Sequence, residues 1–511
     1  MHREKEVYAF WDLIAQEAYC PKTTGLQNGT WNHFLHNEQG KRVWIFACNE
    51  ACRKLVEFYG DTWDIAGILD NAESMWGKMF CGIRVYSPGE LICSLNADTD
   101  VIILALRLNA DIVARQILNM GFSNIYSLGV LLAGMEPYKS FIEEIQELID
   151  RTELSDIVLM ESMNDFDGNT GALYEYLKEQ GSQHQFVWIC KSEDSTTRSM
   201  DVSDMLLFPD KSVDDLKEYM RIRAKAKWEI WECDPIRKVR NDQINIFLQH
   251  YGMGYKQVSH IYNSPDYVDY VLTTNAFVHE MEKKSITYAP TSSFIYGELP
   301  RNDVLYGKEW NELAALTHKK YDKVVMWAPT LRESRYYHRV DSDIEYPFGI
   351  SLIYDEEQME RLNVFLMESN ILLIIKIHPR QKVNFVEKAY SNILYLDGDR
   401  VKQIHTYKLL TQMDAMITDY SSIVFDYMLL DRPIAWVLED REHYKIEYLM
   451  DDPDEYMPGE KIYTLDDLLH FLTDVSNGMD SFKEARRKIC AKCNPDFEGR
   501  GCERLAETLE L

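Results

Sequence analysis

The stretch ITDYSSIVFDYMLLDRPIAWV, residues 417–437, joins an apolar strand, a polar junction, an apolar helix and a second apolar strand. The junction, Thr418 to Ser422, carries more hydrogen-bonding side chains than a hydrophobic core can use. A phosphate site can use them, because the first turn of a helix has unpaired N–H groups and the positive end of the helix dipole. Ser421 and Ser422 would add hydroxyl donors. In the alternative, Ser421 is an N-cap that satisfies only its own helix.

Apolar strands alternate with helices over most of the chain. The segments KRVWIFACN, SDIVLMES and DKVVMWAPT each begin a new series of strands and helices. This alternation predicts parallel sheets with right-handed crossovers, so the expected fold class is α/β. The predicted parts are an N-terminal helical segment over 1–39, a Rossmann-like accessory domain over 40–150, and two α/β lobes over 151–285 and 286–511.

The composition excludes several classes of protein. The 511 residues are 46% hydrophobic and 27% charged, which is typical of a globular chain of two or three domains. A net charge of -28 argues against nucleic-acid binding, which requires a basic surface. No apolar run is long enough to span a bilayer, no signal peptide is recognisable, and the ten cysteines are too scattered for a disulfide framework. We therefore expect a cytoplasmic protein.

The first turn of the accessory domain departs from the Rossmann pattern that the domain otherwise resembles. The three positions of the Gly-x-Gly-x-x-Gly fingerprint hold Ala47, Asn49 and Cys52, and Asp70 stands where an acid would bind a ribose. Without glycines the backbone cannot approach a pyrophosphate closely. The sequence favours a degenerate or docking module over a dinucleotide site.

Four successive elements of the last lobe end in polar residues. Ligands of open α/β sheets bind beyond the carboxyl ends of the strands, so these residues are candidates for one shared site. The residues are Arg301, Asn302, Thr330, Arg332, His378, Arg380, Thr418, Asp419, Ser421 and Ser422.

Several motifs, in this order along the chain, resemble those of the CDP-glycerol glycerophosphotransferases, the teichoic acid polymerase family. They are ESMNDFDGNTGALYEYLKE, ELPRNDVLY, APTLRE, KIHPR, TDYSSIVFDYMLLDRPIAWV and EYMPG, and the resemblance covers about residues 155–510. It implies a GT-B-type pair of Rossmann-like lobes, with a CDP-alditol donor bound by the C-terminal lobe. It further implies transfer of an alditol phosphate to a hydroxyl of a lipid-linked or polymeric glycan acceptor, with release of CMP. Such enzymes are cytosolic and attached to the inner face of the membrane.

The resemblance also implies roles for individual residues. His378, Arg332, Ser421 and Ser422 would donate to the phosphates. Asp419 would orient its neighbours or contact the donor, because a free carboxylate beside phosphates would repel them, and Arg301 and Asn302 would brace the interlobe cleft or the donor. Asp426, one helical turn further on, faces the same rim or is a helix-surface acid. The predicted substrate-binding set comprises Arg301, Asn302, Thr330, Arg332, Arg380, Thr418, Asp419, Ser421, Ser422 and Asp426.

The general base is expected from the other lobe. LQHYGMGYKQ resembles the family element Trp-His-Gly-Thr-Pro-Leu-Lys, which places His250, Gly252 and Lys256 in register if Tyr251 counts as an insertion. His250, at a strand end before flexible glycines, fits a base for the acceptor hydroxyl, so His250 and His378 are the catalytic candidates. His260, His279 and His318 are interpreted as structural.

No cofactor is firmly implied, and metals have little support. CAKC at Cys490–Cys493, with Cys502 nearby, has metal-like spacing but lacks a fourth ligand, so ordinary helix residues are expected there. A divalent ion near the pyrophosphate is compatible with the chemistry, but no all-carboxylate ligand set is visible.

The sequence leaves a membrane contact and two other functions open. The basic segment 217–240, with Tyr219, Met220, Trp228 and Trp231 interleaved, either touches anionic headgroups or flanks a buried strand. The alternative functions are a GT-B glycosyltransferase that uses a nucleotide sugar and a non-catalytic scaffold of the same pathway.

Overall fold

The computed structural model describes most of the chain. The described residues are 31–106, 110–136, 138–191, 203–209, 211–233, 235–236, 238–250, 252–257, 262–264, 268–288, 291–333, 340–342, 344–378, 381, 389–396, 404–495 and 497–511. Arg380, His260 and most of the predicted N-terminal helical segment lie outside them.

The chain divides into two compact units. The first comprises Met1–Glu161, Gln183–Ile246 and Pro265–Asp269, and the second comprises Ser162–Ser182, Phe247–Ser264 and Tyr270–Leu511. Residues 162–182 and 247–264 therefore belong to the unit that contains the C-terminal lobe. The four-part division expected from the sequence is finer than these two units and stays a prediction.

A six-stranded sheet occupies the region of the predicted accessory domain. Its strand order is β3–β4–β2–β1–β5–β6, and all its pairs except the β3–β4 hairpin are parallel. The strands are β1 (Arg42–Phe46), β2 (Asp64–Leu69), β3 (Met79–Phe80), β4 (Ile83–Tyr86), β5 (Asp100–Leu104) and β6 (Ile125–Ser127). The helices are α1 (Trp31–Asn37), α2 (Glu50–Tyr59), α3 (Pro88–Leu91), α4 (Ala110–Asn119), α5 (Leu128–Ala133) and α6 (Tyr138–Arg151).

The β1–α2 turn of this sheet is held together by its own side chains. The Asp70 carboxylate accepts hydrogen bonds from the backbone N–H groups of Cys48 (2.7 Å) and Ala72 (2.8 Å). The Asn49 side chain caps α2 by accepting from the N–H of Cys52 at 2.9 Å. Both candidate ligand-binding positions thus serve the turn, which supports the interpretation of a degenerate module.

A second group of strands in the first unit is ordered β11–β10–β7–β8–β9. These are β7 (Ser155–Met160), β8 (Gln185–Ile189), β9 (Met205–Leu207), β10 (Ala226–Trp231) and β11 (Ile244–Phe247), with helix α8 (Val213–Arg223) before β10. The side chains of Tyr219, Met220, Trp228 and Trp231 are buried. These four side chains pack into the interior of this unit, which supports the alternative of a basic segment that flanks a buried strand.

The second unit contains a six-stranded parallel sheet of order β18–β17–β16–β19–β20–β21. Its strands are β16 (Lys323–Ala328), β17 (Ile371–Lys376), β18 (Ile393–Leu396), β19 (Ala415–Thr418), β20 (Ile434–Val437) and β21 (Glu460–Ile462). Two short parallel pairs also belong to this unit: β12 (Tyr262–Ser264) with β14 (Ile286–Tyr288), and β13 (Tyr270–Thr273) with β15 (Ser293–Tyr296).

Helices of the second unit cover both faces of this sheet. The helices of this unit are α7 (Gly168–Glu179), α9 (Ala276–Glu282), α10 (Leu313–Leu316), α11 (Glu356–Glu368), α12 (Thr406–Leu410), α13 (Ile423–Tyr427), α14 (Leu465–Ser476), α15 (Lys483–Cys493) and α16 (Gly501–Leu509), of which α7 and α16 pack against each other and against residues 300–305. Alternate strand residues point to opposite faces, so Trp327, Ile375 and Ile417 enter one core while Met326 and Ile374 enter the other. The near-continuous apolar strands seen in the sequence follow from this double burial.

The remaining sequence features are ordinary parts of this fold. Cys490 and Cys493 lie in α15 and Cys502 in α16. Among the described residues no cluster of His, Cys, Asp or Glu could hold a metal ion. The helices of the described ranges include none that is long and apolar enough to cross a membrane.

Gly459, in the EYMPG motif, should be intolerant of a side chain. A Cβ at this position would overlap the carbonyl oxygen of Ile434 and lie 2.9 Å from Trp436 Nε1. We expect Gly459→Ala to lower the free energy of unfolding, measured by urea denaturation, by about 2–3 kcal/mol. Gly297→Ala is the matched control, because its Cβ would meet no atom within 4 Å. Equal stability of the two variants would contradict the packing described here.

Candidate active site

The carboxyl ends of three neighbouring strands form the rim of the candidate site. β16 lies between β17 and β19, and all three strands are parallel. Thr330, His378 and Asp419 follow these strands and therefore leave the sheet at one edge, as the sequence predicts. The loops are connected, since the His378 carbonyl accepts from Gln381 N–H (2.8 Å) and Gln381 Oε1 accepts from Arg332 N–H (2.7 Å).

The carboxylate of Asp419 joins the loops that follow β16 and β19. It accepts the backbone N–H of Thr330 at 2.9 Å and also the Thr330 hydroxyl. Arg332 Nη2 donates to it at 2.8 Å, and the Tyr420 N–H at 2.6 Å. Beside it, the Thr418 hydroxyl donates to the Ala328 carbonyl at 3.0 Å. These hydrogen bonds satisfy the charge of Asp419 within the protein and are compatible with an orienting role, which stays a prediction.

Arg332 is buried between two carboxylates and two aromatic rings. Its Nε donates to Asp440 at 2.7 Å and its Nη2 to Asp419 at 2.8 Å, while the guanidinium lies 5.4 Å from the Tyr420 ring and 5.0 Å from the Tyr444 ring. Burial by itself lowers the pKa of Arg332, but the charges of Asp419 and Asp440 outweigh it and raise the pKa. These contacts differ from the expected donation to phosphate. We infer that Arg332 positions the loops instead.

A second buried carboxylate, that of Asp426 in α13, binds residues from two other elements. Arg301 donates to its Oδ2 from Nε (3.2 Å) and Nη2 (3.0 Å). The Tyr407 hydroxyl donates to the same oxygen at 2.7 Å, and Asn302 Nδ2 donates to Oδ1 at 3.0 Å. Asp426 is only 3% exposed, so the alternative of a helix-surface acid is wrong.

Arg301 connects this carboxylate to the segment that carries His250. Its Nη1 donates to the His250 carbonyl at 2.8 Å, and its backbone N–H donates to Asn169 Oδ1 at 3.2 Å. The Asn169 amide in turn donates to the carbonyls of Leu248 (3.2 Å) and Gln249 (2.7 Å). Gln249 has a left-handed backbone, with φ of 57°, which turns the chain just before His250.

Asn169 is not among the site residues predicted from the sequence, where it stands only within a family motif. It instead connects α7, the segment before His250 and Arg301. Its place in the motif ESMNDFDGNTGALYEYLKE was the available signal, but nothing in a sequence says which distant carbonyls an amide will reach.

The glycines after His250 let the chain pass close to the rim. A Cβ on Gly252 would lie 3.0 Å from Leu299 Cδ1 and 3.7 Å from Arg301 Nη2. A Cβ on Gly254 would lie 3.8 Å from Ser422 Cβ. Gly252 therefore lies close to Arg301, whereas Lys256 forms an antiparallel backbone bridge with Tyr448, and the acceptor-side role of both residues stays a prediction.

The serines of the opening stretch do not cap their helix. Ser422 precedes α13 with helical dihedral angles (φ −65°, ψ −23°) and makes no side-chain cap bond. Within the described ranges, neither Ser421 nor Ser422 uses its hydroxyl in a hydrogen bond to the protein, and both side chains are partly exposed. The hydroxyls are thus available to a ligand. Because α13 has only five residues, we expect an anion at this position to be bound by the serine hydroxyls rather than by a helix dipole.

The segment ELPRND also anchors the C-terminal helix. Glu298 Oε2 accepts the N–H groups of Glu498 (3.1 Å), Gly499 (2.7 Å) and Arg500 (3.2 Å). Asp303 accepts the N–H groups of Gly501 and Cys502, both at 2.8 Å, at the start of α16. The acids on either side of Arg301 and Asn302 therefore fix the backbone from which these two side chains reach Asp426.

Comparisons with known proteins show the family of the chain. Residues 149–511 match the family model described as CDP-glycerol:poly(glycerophosphate) glycerophosphotransferase, close to the range expected from the motifs. The teichoic acid poly(glycerol phosphate) polymerase of Bacillus spizizenii is 24% identical over 372 residues, which cover 66% of this chain and 88% of that protein. The teichoic acid glycerol-phosphate transferase of Staphylococcus aureus is 23% identical over 403 residues, covering 71% and 95%.

A solved structure shares the fold. The H548A form of the wall teichoic acid polymerase TagF superposes with a TM-score of 0.57 at 17% identity, covering 73% of this chain and 95% of that one. The α/β fold with GT-B-type lobes, expected from the sequence, is thereby confirmed.

The Asp426 cluster should be essential for stability. Asp426→Asn removes the charge that compensates Arg301, so we expect the free energy of unfolding to fall by about 3–5 kcal/mol, measured by chemical denaturation. Asp451→Asn, at a fully exposed aspartate, should change it by no more than about 0.5 kcal/mol. A stable Asp426→Asn protein would show that the cluster is not held by this charge.

Glu282, a buried residue at the end of α9, should make the free energy of unfolding depend on pH. Burial raises the pKa of Glu282 to about 7, against a 3.0 Å hydrogen bond from Tyr288 that lowers it. Below about pH 4.5 Glu282 is protonated in both the folded and the unfolded protein, so burial has no ionisation cost. Above about pH 7 the carboxyl is ionised in both, and the cost of burying the charge is complete. Relative to Glu282→Gln, the wild-type free energy of unfolding should fall by roughly 3 kcal/mol between pH 4.5 and pH 8.

The matched control for Glu282→Gln is Glu280→Gln, on the exposed side of the same helix. Denaturation curves at several pH values compare the three proteins. If Glu282→Gln follows the wild-type pH profile throughout, Glu282 is not buried as an acid of raised pKa.

Proposed function

Because the chain belongs to the CDP-glycerol:poly(glycerophosphate) glycerophosphotransferase family, it is a transferase of alditol phosphate in teichoic acid synthesis, and we propose that the rim of its second unit performs the transfer. The donor is a CDP-alditol, carrying glycerol or ribitol. The acceptor is a lipid-linked or polymeric glycan with a free hydroxyl. One observation carries the assignment of the site: Arg301 contacts both Asp426 and the His250 carbonyl, which joins the predicted base to the predicted phosphate rim.

The reaction exchanges one phosphoester linkage for another. The acceptor oxygen forms a bond to the phosphorus that carries the alditol, and the bond from that phosphorus to the bridging oxygen breaks, so that CMP leaves with the electron pair. This chemistry requires in-line positioning and stabilisation of the charge that moves to the leaving phosphate. The chain's own residues can supply both.

We assign the steps to the residues by their positions. His250 takes the proton of the acceptor hydroxyl as general base, since it follows a sharp backbone turn and precedes the loop that passes Arg301 and Ser422. His378 donates to the phosphates from the end of β17, and Ser421 and Ser422 donate their free hydroxyls from the end of β19. Arg301, Arg332, Asp419 and Asp426 hold these loops in place.

The site does not fit a divalent ion well. Asp419 and Asp426, the carboxylates nearest the expected phosphates, already accept several hydrogen bonds from protein donors. Protein donors therefore satisfy the oxygens that a magnesium ion would need. The steps above are routed through protein groups only.

We also propose that the lipid-linked acceptor brings this enzyme to the inner face of the membrane. The basic segment 217–240 gives little support to a direct contact, because its aromatic side chains are buried and Arg221, Arg223 and Lys238 are paired with carboxylates. Sedimentation with vesicles that do or do not contain the acceptor lipid distinguishes recruitment by the acceptor from direct binding of the protein to the membrane. Binding to acceptor-free anionic vesicles would favour a direct contact.

The two histidines should be required for CMP release. With CDP-glycerol or CDP-ribitol and an acceptor, we expect His250→Ala and His378→Ala to lower the rate of CMP release at least about 100-fold, because each removes a proton-transfer or phosphate-donor group. His318→Ala, at a histidine near α10 and away from the rim, should keep the wild-type rate.

The same assay separates the alternative functions. Release of UDP or CMP from a nucleotide sugar, with none from either CDP-alditol, would favour a glycosyltransferase. No release from any donor, with no thermal stabilisation by nucleotides, would favour a scaffold.

A further inference from the structure

Lys376, the last residue of β17, stands two residues before His378 and has no role in the site described so far. Its strand neighbours Ile375 and Ile377 enter one core of the sheet. Lys376 therefore points to the opposite face, together with Leu372 and Ile374, which pack in the cluster that contains the α13 side chains. The ammonium group thus lies at the carboxyl edge of the sheet, on the face from which Ser421 and Ser422 approach.

The charge of Lys376 is not compensated by the protein. Within the residues that the structure describes, its ammonium has no hydrogen-bond or ion-pair partner. Burial lowers the pKa of Lys376, and Asp167 is the one charge that raises it. The Asp167 carboxylate is itself engaged by Asn164, which donates from its backbone N–H at 3.1 Å and from its amide at 2.7 Å.

Three buried arginines of the chain differ from Lys376, because each is paired with a carboxylate. Arg223 pairs with Glu229 at 2.8 Å, and Arg332 with Asp419 at 2.8 Å. Arg486 pairs with Asp480 at 2.6 Å. An ammonium removed from water without a counter-ion costs stability, so a folded protein that keeps one at a ligand-binding rim reserves it for an anion.

The alternative is a lysine that merely extends its amine to solvent along an apolar surface. Its position argues against this, because Lys376 is fixed by parallel pairing with Leu396 and sits between the strands β16 and β18. Lys376 is thus placed at the carboxyl end of β17, the strand that His378 follows, while Ser421 and Ser422 follow β19 at the same edge of the sheet.

We propose that Lys376 binds the diphosphate of the CDP-alditol from the sheet side of the site, opposite the hydroxyls of Ser421 and Ser422. This inference rests on the proposed function. β17 and β19 are two strand spacings apart, about 10 Å, a gap that a diphosphate bridges when a lysine reaches in from one side and hydroxyls from the other. A compact ammonium suits this role, since it neutralises the charge that moves onto the CMP phosphate as the bridging bond breaks, without giving up a proton.

The test compares Lys376→Met, which keeps the length of the side chain and removes its charge, with wild type in the full chain. Without ligand, the Tm of Lys376→Met should equal or exceed that of wild type, because no protein partner is lost. CDP should raise the Tm of wild type strongly and that of the variant little, whereas cytidine, which has no phosphate, should affect both alike. The kcat for CMP release should fall about 100-fold, and Lys376→Arg should restore part of it.

Lys323→Met is the matched control, because Lys323 begins β16 at the opposite edge of the same sheet and pairs with Asp414. It should leave the stabilisation by CDP unchanged. sn-Glycerol 3-phosphate serves as a second probe, to distinguish the phosphate of the donor from that of the acceptor.

Three results would overturn the proposal. The first is a Lys376→Met protein that keeps the full stabilisation by CDP. The second is a variant that is unfolded or clearly less stable without ligand, which would make Lys376 structural. The third is a loss of stabilisation by sn-glycerol 3-phosphate alone, which would place the acceptor phosphate there. A wild-type protein that neither binds CDP nor releases CMP would instead contradict the proposed function itself.

Discussion

The buried carboxylate of Asp426 is the interaction on which the rest of the site depends. It satisfies Arg301, Asn302 and Tyr407 at once, and through Arg301 it fixes the backbone of His250. An arginine held this way cannot be replaced by a flexible cation, because the two-nitrogen contact sets the direction of the third nitrogen. The backbone position of His250, the proposed base, is thus held by the Arg301–Asp426 charge pair.

Carboxylates in a phosphate site repel the phosphate electrostatically unless the protein neutralises their charge. Asp419 and Asp426 would repel a diphosphate if their charges were free. Instead, cations and N–H groups of the protein neutralise both carboxylates. Among the residues that the structure describes, Ser421, Ser422 and Lys376 have polar groups without a protein partner, and our proposals assign the binding of the diphosphate to these groups.

One short segment links this scaffold to the end of the chain. In ELPRND the outer acids, Glu298 and Asp303, hold the start of α16, while the inner Arg301 and Asn302 face the site. Carboxylates at the start of a helix are favourable, because the N–H groups there have no intrahelical partners. The C-terminal helix therefore contributes to the site without reaching it.

The sequence by itself determined the α/β fold, the family and the edge of the sheet where the polar residues gather, because apolar strand patterns and strand-end residues are local signals. Only the tertiary structure shows which of those side chains form hydrogen bonds within the protein and which, among the described residues, have no protein partner and are available to a ligand. Arg301 and Asp426 are 125 positions apart, and Arg332 and Asp440 108 positions apart. The partner of a charged side chain depends on how distant loops pack. Arg332 is therefore held between Asp419 and Asp440, Trp228 is buried in a core, and Asn169 links distant segments. A local sequence pattern cannot predict such contacts.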